Sequence, residues 1–446
     1  MDQTLEKIIE LADRTREKSP SQNSLEELKK RVADIAITSY GAYDSAPVQV
    51  AMKSLIPSSG TRNSTVFFTK TKVSVENAAF INGTMTRYLD YNDTYLSKEA
   101  LHPSDNIPPL IGAGENGNYT GKDILRGAYV SYNVVCALSD AISIRNRGWD
   151  HVTYISISSA AGLSYLLELD HEKFSHAMNL SINNNISMRQ TRAGELSMWK
   201  GATASNACRN SVFGVNLAQN GFTGPAPIFS GEMGFFRQVS GDMNPDFTVD
   251  RIGKTMIKNY PVEYHAMSAA EVAEQLKSEI KGKIKKVDVE TFRVAHTIIV
   301  KDPEKLRPKT RETADHSLPY IIAYTLKNGA PTPHSYDEHY LKDPEILRLI
   351  DSMKFTVTNK FDSMYPEYLP VMIDVTTDSG NYRKELDAPK GHNKKPYTWD
   401  DLEVKAARMM GEDSAKELIL LARSFENRTS EEYLEVLRNV KAKKQH

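Results

Sequence analysis

Tyr88 opens the run Tyr-Leu-Asp-Tyr-Asn-Asp-Thr-Tyr, and six residues later comes His102-Pro-Ser-Asp-Asn106. Asp90, Asp93, Thr94, His102 and Asp105 therefore fall within sixteen residues. Carboxylates beside an imidazole are the equipment of general acid–base chemistry. The competing reading is an Asp/Asn-rich turn whose aspartates merely cap it. An amphipathic helical pattern leads into the segment, and Pro108-Pro109 predict no immediate return to helix. The stretch is expected to be a loop at a helix end, with side chains turned to a cleft.

Other groups could complete such a site. His151 follows Arg147-Gly-Trp-Asp150 at the start of a helical pattern, where a cap is the commoner role for a histidine. Arg189, Arg192 and Lys200 lie in an otherwise small and apolar stretch. A cation enclosed there needs an anion, and a carboxylate substrate would serve. Lys258 stands at a change of texture, and His316 and Tyr320 lie in Asp315-His-Ser-Leu-Pro-Tyr320. The glycine-punctuated segments 221–225 and 229–235 are expected to wall a cleft. Gly112-Ala-Gly-Glu-Asn-Gly117 fits a dinucleotide fingerprint but lacks the strand before it, so a glycine-rich connector is expected. No metal is expected: His171/His176 and His334/His339 are five apart, which spoils a shared helical face.

Composition narrows the classes. The chain has 446 residues, a formal charge of −1 and 40% apolar residues. The length suits about two domains. There is no electrostatic footprint for nucleic acid, and the Lys-rich Lys281–Lys286 reads as a solvated face. No basic or apolar leader opens the sequence and no apolar run approaches a membrane span, so a cytoplasmic protein without membrane or nucleic-acid partners is expected. Two cysteines, Cys136 and Cys208, exclude a disulfide framework, and they are too few for a conventional iron–sulfur cluster.

The elements that must hold these residues are mostly helical. Helices are expected over 4–17, from a Ser24–Glu27 capping box to Ile37, from Ser45 to Pro57, and from Ser74 towards Asp90. Further helices run from Thr120 to about 144, over the small apolar stretch 152–169, after Asp170, and over 200–219. Beyond Pro261 a Ser268–Glu271 capping box opens a short helix. Strands are expected at 286–293, 355–357, 371–375 and 382–386, with helices at about 316–327 and 344–352 between them. Thr398, Ser414 and Thr429 each open a further amphipathic run. The expected fold is mainly α: an all-helical domain over 1–261, an inserted α+β domain over 262–397, and C-terminal helices over 398–446 that return to the first domain.

Taken together, Asp90-Tyr-Asn-Asp-Thr94, His102-Pro-Ser104, Gly148-Trp-Asp-His151, Met198-Trp-Lys-Gly201, Phe229-Ser-Gly-Glu-Met-Gly-Phe235, Lys258-Asn-Tyr-Pro261, His316-Ser-Leu-Pro-Tyr320 and Pro389-Lys-Gly-His392 resemble the MmgE/PrpD family. The resemblance implies a helical domain with an inserted α+β lid, a homodimer, and no metal or other cofactor. It also implies dehydration of a tricarboxylate, foremost 2-methylcitrate in propionate breakdown. A cis-aconitate decarboxylase on the same scaffold and a non-enzymatic tricarboxylate-binding relative are the alternatives. By motif, Asp93, His102, His151 and Tyr320 become the catalytic set. Thr94, Arg192, Lys200, Lys258 and His316 become the substrate-binding set. His102 or His151 would move a proton, with Asp93 assisting. The cations would clamp carboxylates, and Tyr320 would protonate or position the leaving hydroxyl.

Overall fold

The structure is a computed structural model that describes residues 2–54 and 63–443. Its framework is helical, and the buried apolar side chains gather into separate clusters. The largest joins Ile8, Leu28, Ile35, Ile81, Leu110, Val134, Ile157, Phe174 and Val215 to Leu402, Leu418, Tyr433 and Leu437 from the end of the chain. Helices Trp399–Met410 and Glu412–Arg423 thus pack on Gln22–Ala42, early in the sequence.

At the centre of this cluster stands Val152–Leu166, buried on every face. Apolar and small residues all round, with no polar stripe, are what such a position demands. Gly162 permits close approach to Gly121–Ala141: a Cβ there would meet Ser131 Oγ at 2.0 Å and the Gly127 carbonyl at 2.7 Å.

The second cluster surrounds a four-stranded sheet in the order Met353–Val357, Ile284–Thr291, Val371–Thr377, Asn381–Leu386. The first pair is parallel and the other two are antiparallel, with Val289 opposite both Phe355 and Ile373. Val287, Val289, Val371, Ile373 and Val375 are buried together with Val272, Leu276 and Ile321 from helices Met267–Glu279 and Leu318–Asn328. A third, smaller cluster holds Tyr320, Tyr324, Tyr336, Ile346 and Leu349.

Several local expectations need correction. The second helix starts at Gln22, because Ser21 takes the cap and Ser24 gives its hydroxyl to Asp250 at 2.6 Å. The third is described over Ala46–Ser54; Pro57 lies outside the described residues. Pro108 and Pro109 do not bar a helix but begin one, Ile107–Gly117, which also absorbs the supposed glycine connector. Prolines in a first turn cost nothing, since those N–H groups have no intrahelical partner. Ser268 caps nothing: the turn Tyr264–Ala266 runs directly into Met267–Glu279. Ser414 is likewise inside its helix, which begins straight after Gly411 (φ +85°). The boxes at Thr120 and Thr398 are formed, and Thr429 and Glu432 bond reciprocally. Among the described residues, no helix is long and apolar enough to cross a membrane.

Candidate active site

Helix Val75–Tyr88 delivers the chain to Asp90, which takes the left-handed conformation at φ +51°. Aspartate is one of the few side chains that tolerate this region. Its N–H bonds the Arg87 carbonyl, and its carboxylate turns back to accept from Arg87 Nη1 at 2.9 Å. Thr94 and Met256 then exchange both backbone hydrogen bonds at 2.8 Å. That bridge brings Lys258 alongside, and its Nζ bonds Asp90 Oδ1 at 2.5 Å, the Asp90 carbonyl at 2.9 Å and the Val262 carbonyl at 3.2 Å.

Asp90 thereby becomes the hub of a buried ion cluster. Lys200 Nζ lies 3.5 Å from it and bonds both oxygens of Asp315 at 2.9 Å. His316 Nδ1 bonds Asp315 at 2.5 Å, and its Nε2 lies 3.7 Å from Asp90. Burial alone would raise the Asp90 pKa, but Arg87, Lys258, Lys200 and His316 outweigh it and hold the carboxyl well below its usual range. Burial lowers the Lys258 pKa and the Asp90 charge opposes it. Desolvation, then Lys200, pushes His316 down to about 4.

Beside this hub lies a cavity of about 80 Å³ between the helical cluster and the sheet-bearing one. Arg87, Arg145, Arg189, Arg192, Lys258 and Lys305 face it, against only Asp90, Glu263 and Asp302. Six cations against three carboxylates give the lining a surplus of three positive charges, and Glu99 and Asp150, just behind it, answer those of Arg145 and Arg192 in part. Two imidazoles stand in this field, His102 and His151, with ring centroids 6.2 Å apart. His102 Nδ1 is 2.6 Å from the Asp93 carbonyl oxygen. A carbonyl only accepts, so Nδ1 carries the proton and Nε2, 3.8 Å from Asp90, is left with its lone pair. Desolvation, helped by Arg87 and Lys258, puts the His102 pKa well below 6.5, so the ring is a neutral base.

His151 precedes the first residue of the central helix, and its Nδ1 is 3.3 Å from Asp150. Its Nε2 is buried without a hydrogen-bond partner. Burial lowers its pKa too, against the pull of Asp150. Behind the pair, Asp105 is pushed up to about 7 by burial, with Oδ1 bonded to Asn92 and Oδ2 unpartnered.

Of the residues expected from sequence, Thr94, His102, His151, Arg192, Lys258 and His316 line the cavity. Thr94 spends its hydroxyl on the Leu101 carbonyl. Lys200 sits one layer behind, in the ion cluster. Asp93 touches the site through its carbonyl only, because its carboxylate accepts from the Ser104 N–H and the Tyr132 hydroxyl, both at 2.9 Å. Tyr320 is not brought to the cavity: it is fully buried in the third cluster, and its hydroxyl donates to the Ser335 carbonyl at 2.6 Å. The Gly221–Phe235 region is also elsewhere, with the Asp2 carboxylate accepting from the N–H groups of Phe229 and Ser230. Sequence reasoning missed Asp90 as the hub, although an Arg87/Asp90 spacing of three at a helix end is a usable signal. It also missed Asp315, next to His316, and Arg145, Glu263 and Lys305, while Arg189, noted as a candidate enclosed cation, does line the cavity.

Asp90, Asp315 and His316 place ligand atoms within 4.8 Å of one another, as a metal site would. The Lys200 ammonium already occupies those oxygens, and Lys258 holds Asp90 from the other side. The donor set is answered by ammonium ions and does not fit a metal.

A helical cluster, a sheet-bearing cluster and a cationic, histidine-lined cavity between them define a candidate acid–base enzyme for anionic substrates. The chain belongs to the MmgE/PrpD family: residues 6–248 match the MmgE/PrpD N-terminal domain and 260–427 the C-terminal domain. It is 27% identical over 351 residues to a mitochondrial 2-methylcitrate dehydratase of Yarrowia lipolytica, covering 71% of this chain and 66% of that protein. It is 26% identical over 371 residues to the 2-methylcitrate dehydratase of Escherichia coli K12, covering 74% and 75%. It is 27% identical over 370 residues to an alkylcitrate dehydratase of a fungal species, covering 74% and 72%. With such relatives the chain is a family hydro-lyase.

Proposed function

We propose that the protein dehydrates a citrate-like tricarboxylate, foremost 2-methylcitrate to 2-methyl-cis-aconitate, without a metal. The observation that carries this reading is a lining richer in cations than in carboxylates, with Arg189 unpaired among the described residues, around two neutral imidazoles in one small cavity. A tricarboxylate is the complementary ligand, and the names of the relatives point to the same class.

Dehydration removes a weakly acidic proton beside a carboxylate and expels hydroxide. His102 Nε2 takes the proton, since its other nitrogen is fixed as a donor to the Asp93 carbonyl. A bound trianion raises the pKa of both imidazoles, which lets His151 hold a proton on Nε2 and deliver it to the leaving hydroxyl. Arg192 binds a carboxylate, and the charge of Lys258, whose donors go to Asp90 and Val262, helps spread the developing charge. Lys200, Asp315 and His316 hold the sheet-bearing part closed over the site as a lid. At about 80 Å³ the cavity falls short of the roughly 300 Å³ at which small-molecule pockets begin, so substrate enters by opening that lid. Homodimer assembly and a cytoplasmic location complete the proposal.

The test is ultraviolet absorbance of the conjugated double bond, with purified protein in EDTA and 2-methylcitrate or citrate offered separately. A rise with 2-methylcitrate supports the reading, and the citrate rate sets selectivity. No rise with folded protein, together with carbon dioxide release from cis-aconitate, would replace it with the decarboxylase.

A further inference from the structure

Three of the cavity's cations come from two short turns, Arg145–Arg147 and Arg189–Arg192. Their backbone is pinned beside His151: the Arg189 N–H bonds the Gly148 carbonyl at 2.8 Å, and the Asp150 N–H bonds Ser187 at 2.8 Å. The three guanidiniums are unequally answered. Arg145 Nη2 lies 3.5 Å from Glu99, whose other oxygen is already taken by Ser143 and by the N–H groups of Ile144 and Arg145. Arg192 Nε faces Asp150 at 2.9 Å without hydrogen-bond geometry, and its side chain is nine-tenths buried with Nη2 unpartnered. Arg189 forms no ion pair among the described residues, although it lines the same cavity. Burial and its two arginine neighbours push its pKa down to about 10. Like charges held together in a partly dry site are costly unless an anion joins them.

We infer that Arg189, with Arg145 and Arg192, forms a carboxylate subsite that holds one terminal carboxylate of the substrate and so selects tricarboxylates over dicarboxylates. The inference rests on the tricarboxylate reading and deepens it. Arg189 is the selector, because it alone of the three has no acidic partner to give up. Its fork can take a carboxylate bidentately. Arg145 and Arg192 share their charge with Glu99 and Asp150 and mainly set the field. On the opposite side of the histidines, Lys258 already spends all three of its donors on Asp90 and Val262, so it cannot provide the discrimination.

The experiment measures calorimetric binding of tricarballylate, which has no hydroxyl to lose, and of methylsuccinate, which lacks one terminal carboxylate. It uses the full chain as wild type, Arg189→Gln and Arg189→Lys. Wild type is expected to prefer tricarballylate by about 10–100-fold, the worth of a charged hydrogen-bonded contact. Arg189→Gln should bring the two affinities to within about threefold by weakening tricarballylate alone, and Arg189→Lys should restore part of the preference. The ligand-free melting temperature of Arg189→Gln should match or exceed wild type, because repulsion is relieved; a structural arginine would lower it. Unchanged preference in Arg189→Gln, equal weakening of both probes, or a lower ligand-free melting temperature overturns the subsite while the tricarboxylate reading stands. Wild type that binds neither probe overturns both.

Discussion

Replacing Asp90 by Asn tests whether this carboxylate organises the site by its charge. Asparagine keeps the shape and tolerates the left-handed backbone at φ +51°, so the change isolates the charge. Arg87 at 2.9 Å and Lys258 at 2.5 Å would then be buried cations without their anion. Two unit charges about 4 Å apart attract by about 4 kcal/mol at an effective dielectric of about 20, before desolvation is subtracted. Breaking one partner out of a buried pair costs about 3–5 kcal/mol in practice, and that is the expected loss of stability. The folded pKa of Asp90 is depressed, so its contribution is complete above the unfolded value of 3.8 and fades as pH falls through the folded value. The wild-type/variant difference in chemical denaturation should therefore be full at pH 7 and shrink in acid. Tricarballylate supplies the missing negative charge and should stabilise the variant more than wild type. A difference below about 1 kcal/mol at pH 7, or no extra response to tricarballylate, would refute the hub.

Other expectations follow from the same geometry. His102→Gln should lower kcat/KM by about 10²–10⁴-fold, the usual worth of a proton-transfer group, with an unchanged melting temperature. Because desolvation holds His102 well below 6.5, kcat/KM of the wild type should rise to its plateau at an inflection under pH 6.5; an inflection above 7 would contradict a neutral base. Tyr320→Phe should cost about 1–3 kcal/mol by orphaning the buried Ser335 carbonyl while leaving kcat in place, whereas a large fall in kcat with intact folding would return Tyr320 to the chemistry. Lys405→Met should destabilise strongly, because Lys405 Nζ holds Asp34 at 2.6 Å and the Lys258 carbonyl at 2.9 Å; adding Asp34→Leu should recover most of the loss in thermal denaturation.

The mainly helical class was legible because period and caps agree along most of the chain. Ser74, Thr120, Asp170 and Thr398 cap the helices they were expected to cap. Capping boxes misled where another start came first: Ser21 pre-empts Ser24, and the turn at Tyr264–Ala266 pre-empts Ser268. Pro108 and Pro109 were read as breakers because local propensity does not say whether a proline falls inside a helix or at its first turn. Placement at the cavity was legible where a histidine or lysine stood in a distinctive motif, as at His102 and Lys258. Which atom of Asp93 faces the imidazole, and whether Tyr320 reaches the cavity, depend on packing partners 39 and 15 residues away, Tyr132 and Ser335. Asp90 looked like one more turn aspartate because, Arg87 apart, its neighbours Lys200, Lys258 and His316 come from distant stretches of chain.

If the ion cluster holds a lid over the cavity as proposed, it also sets how the enzyme meets its substrate over time. On that scheme only molecules with the Lys200–Asp315 contact parted would be entered, and the apparent dissociation constant would be the intrinsic one divided by the open fraction. An open fraction of about 1% would make a micromolar site behave as a site of about 100 μM. Changes at Asp315, which the substrate need never touch, would then move KM and product release together. Affinity and throughput would then be tuned at a seam as well as at the walls of the pocket.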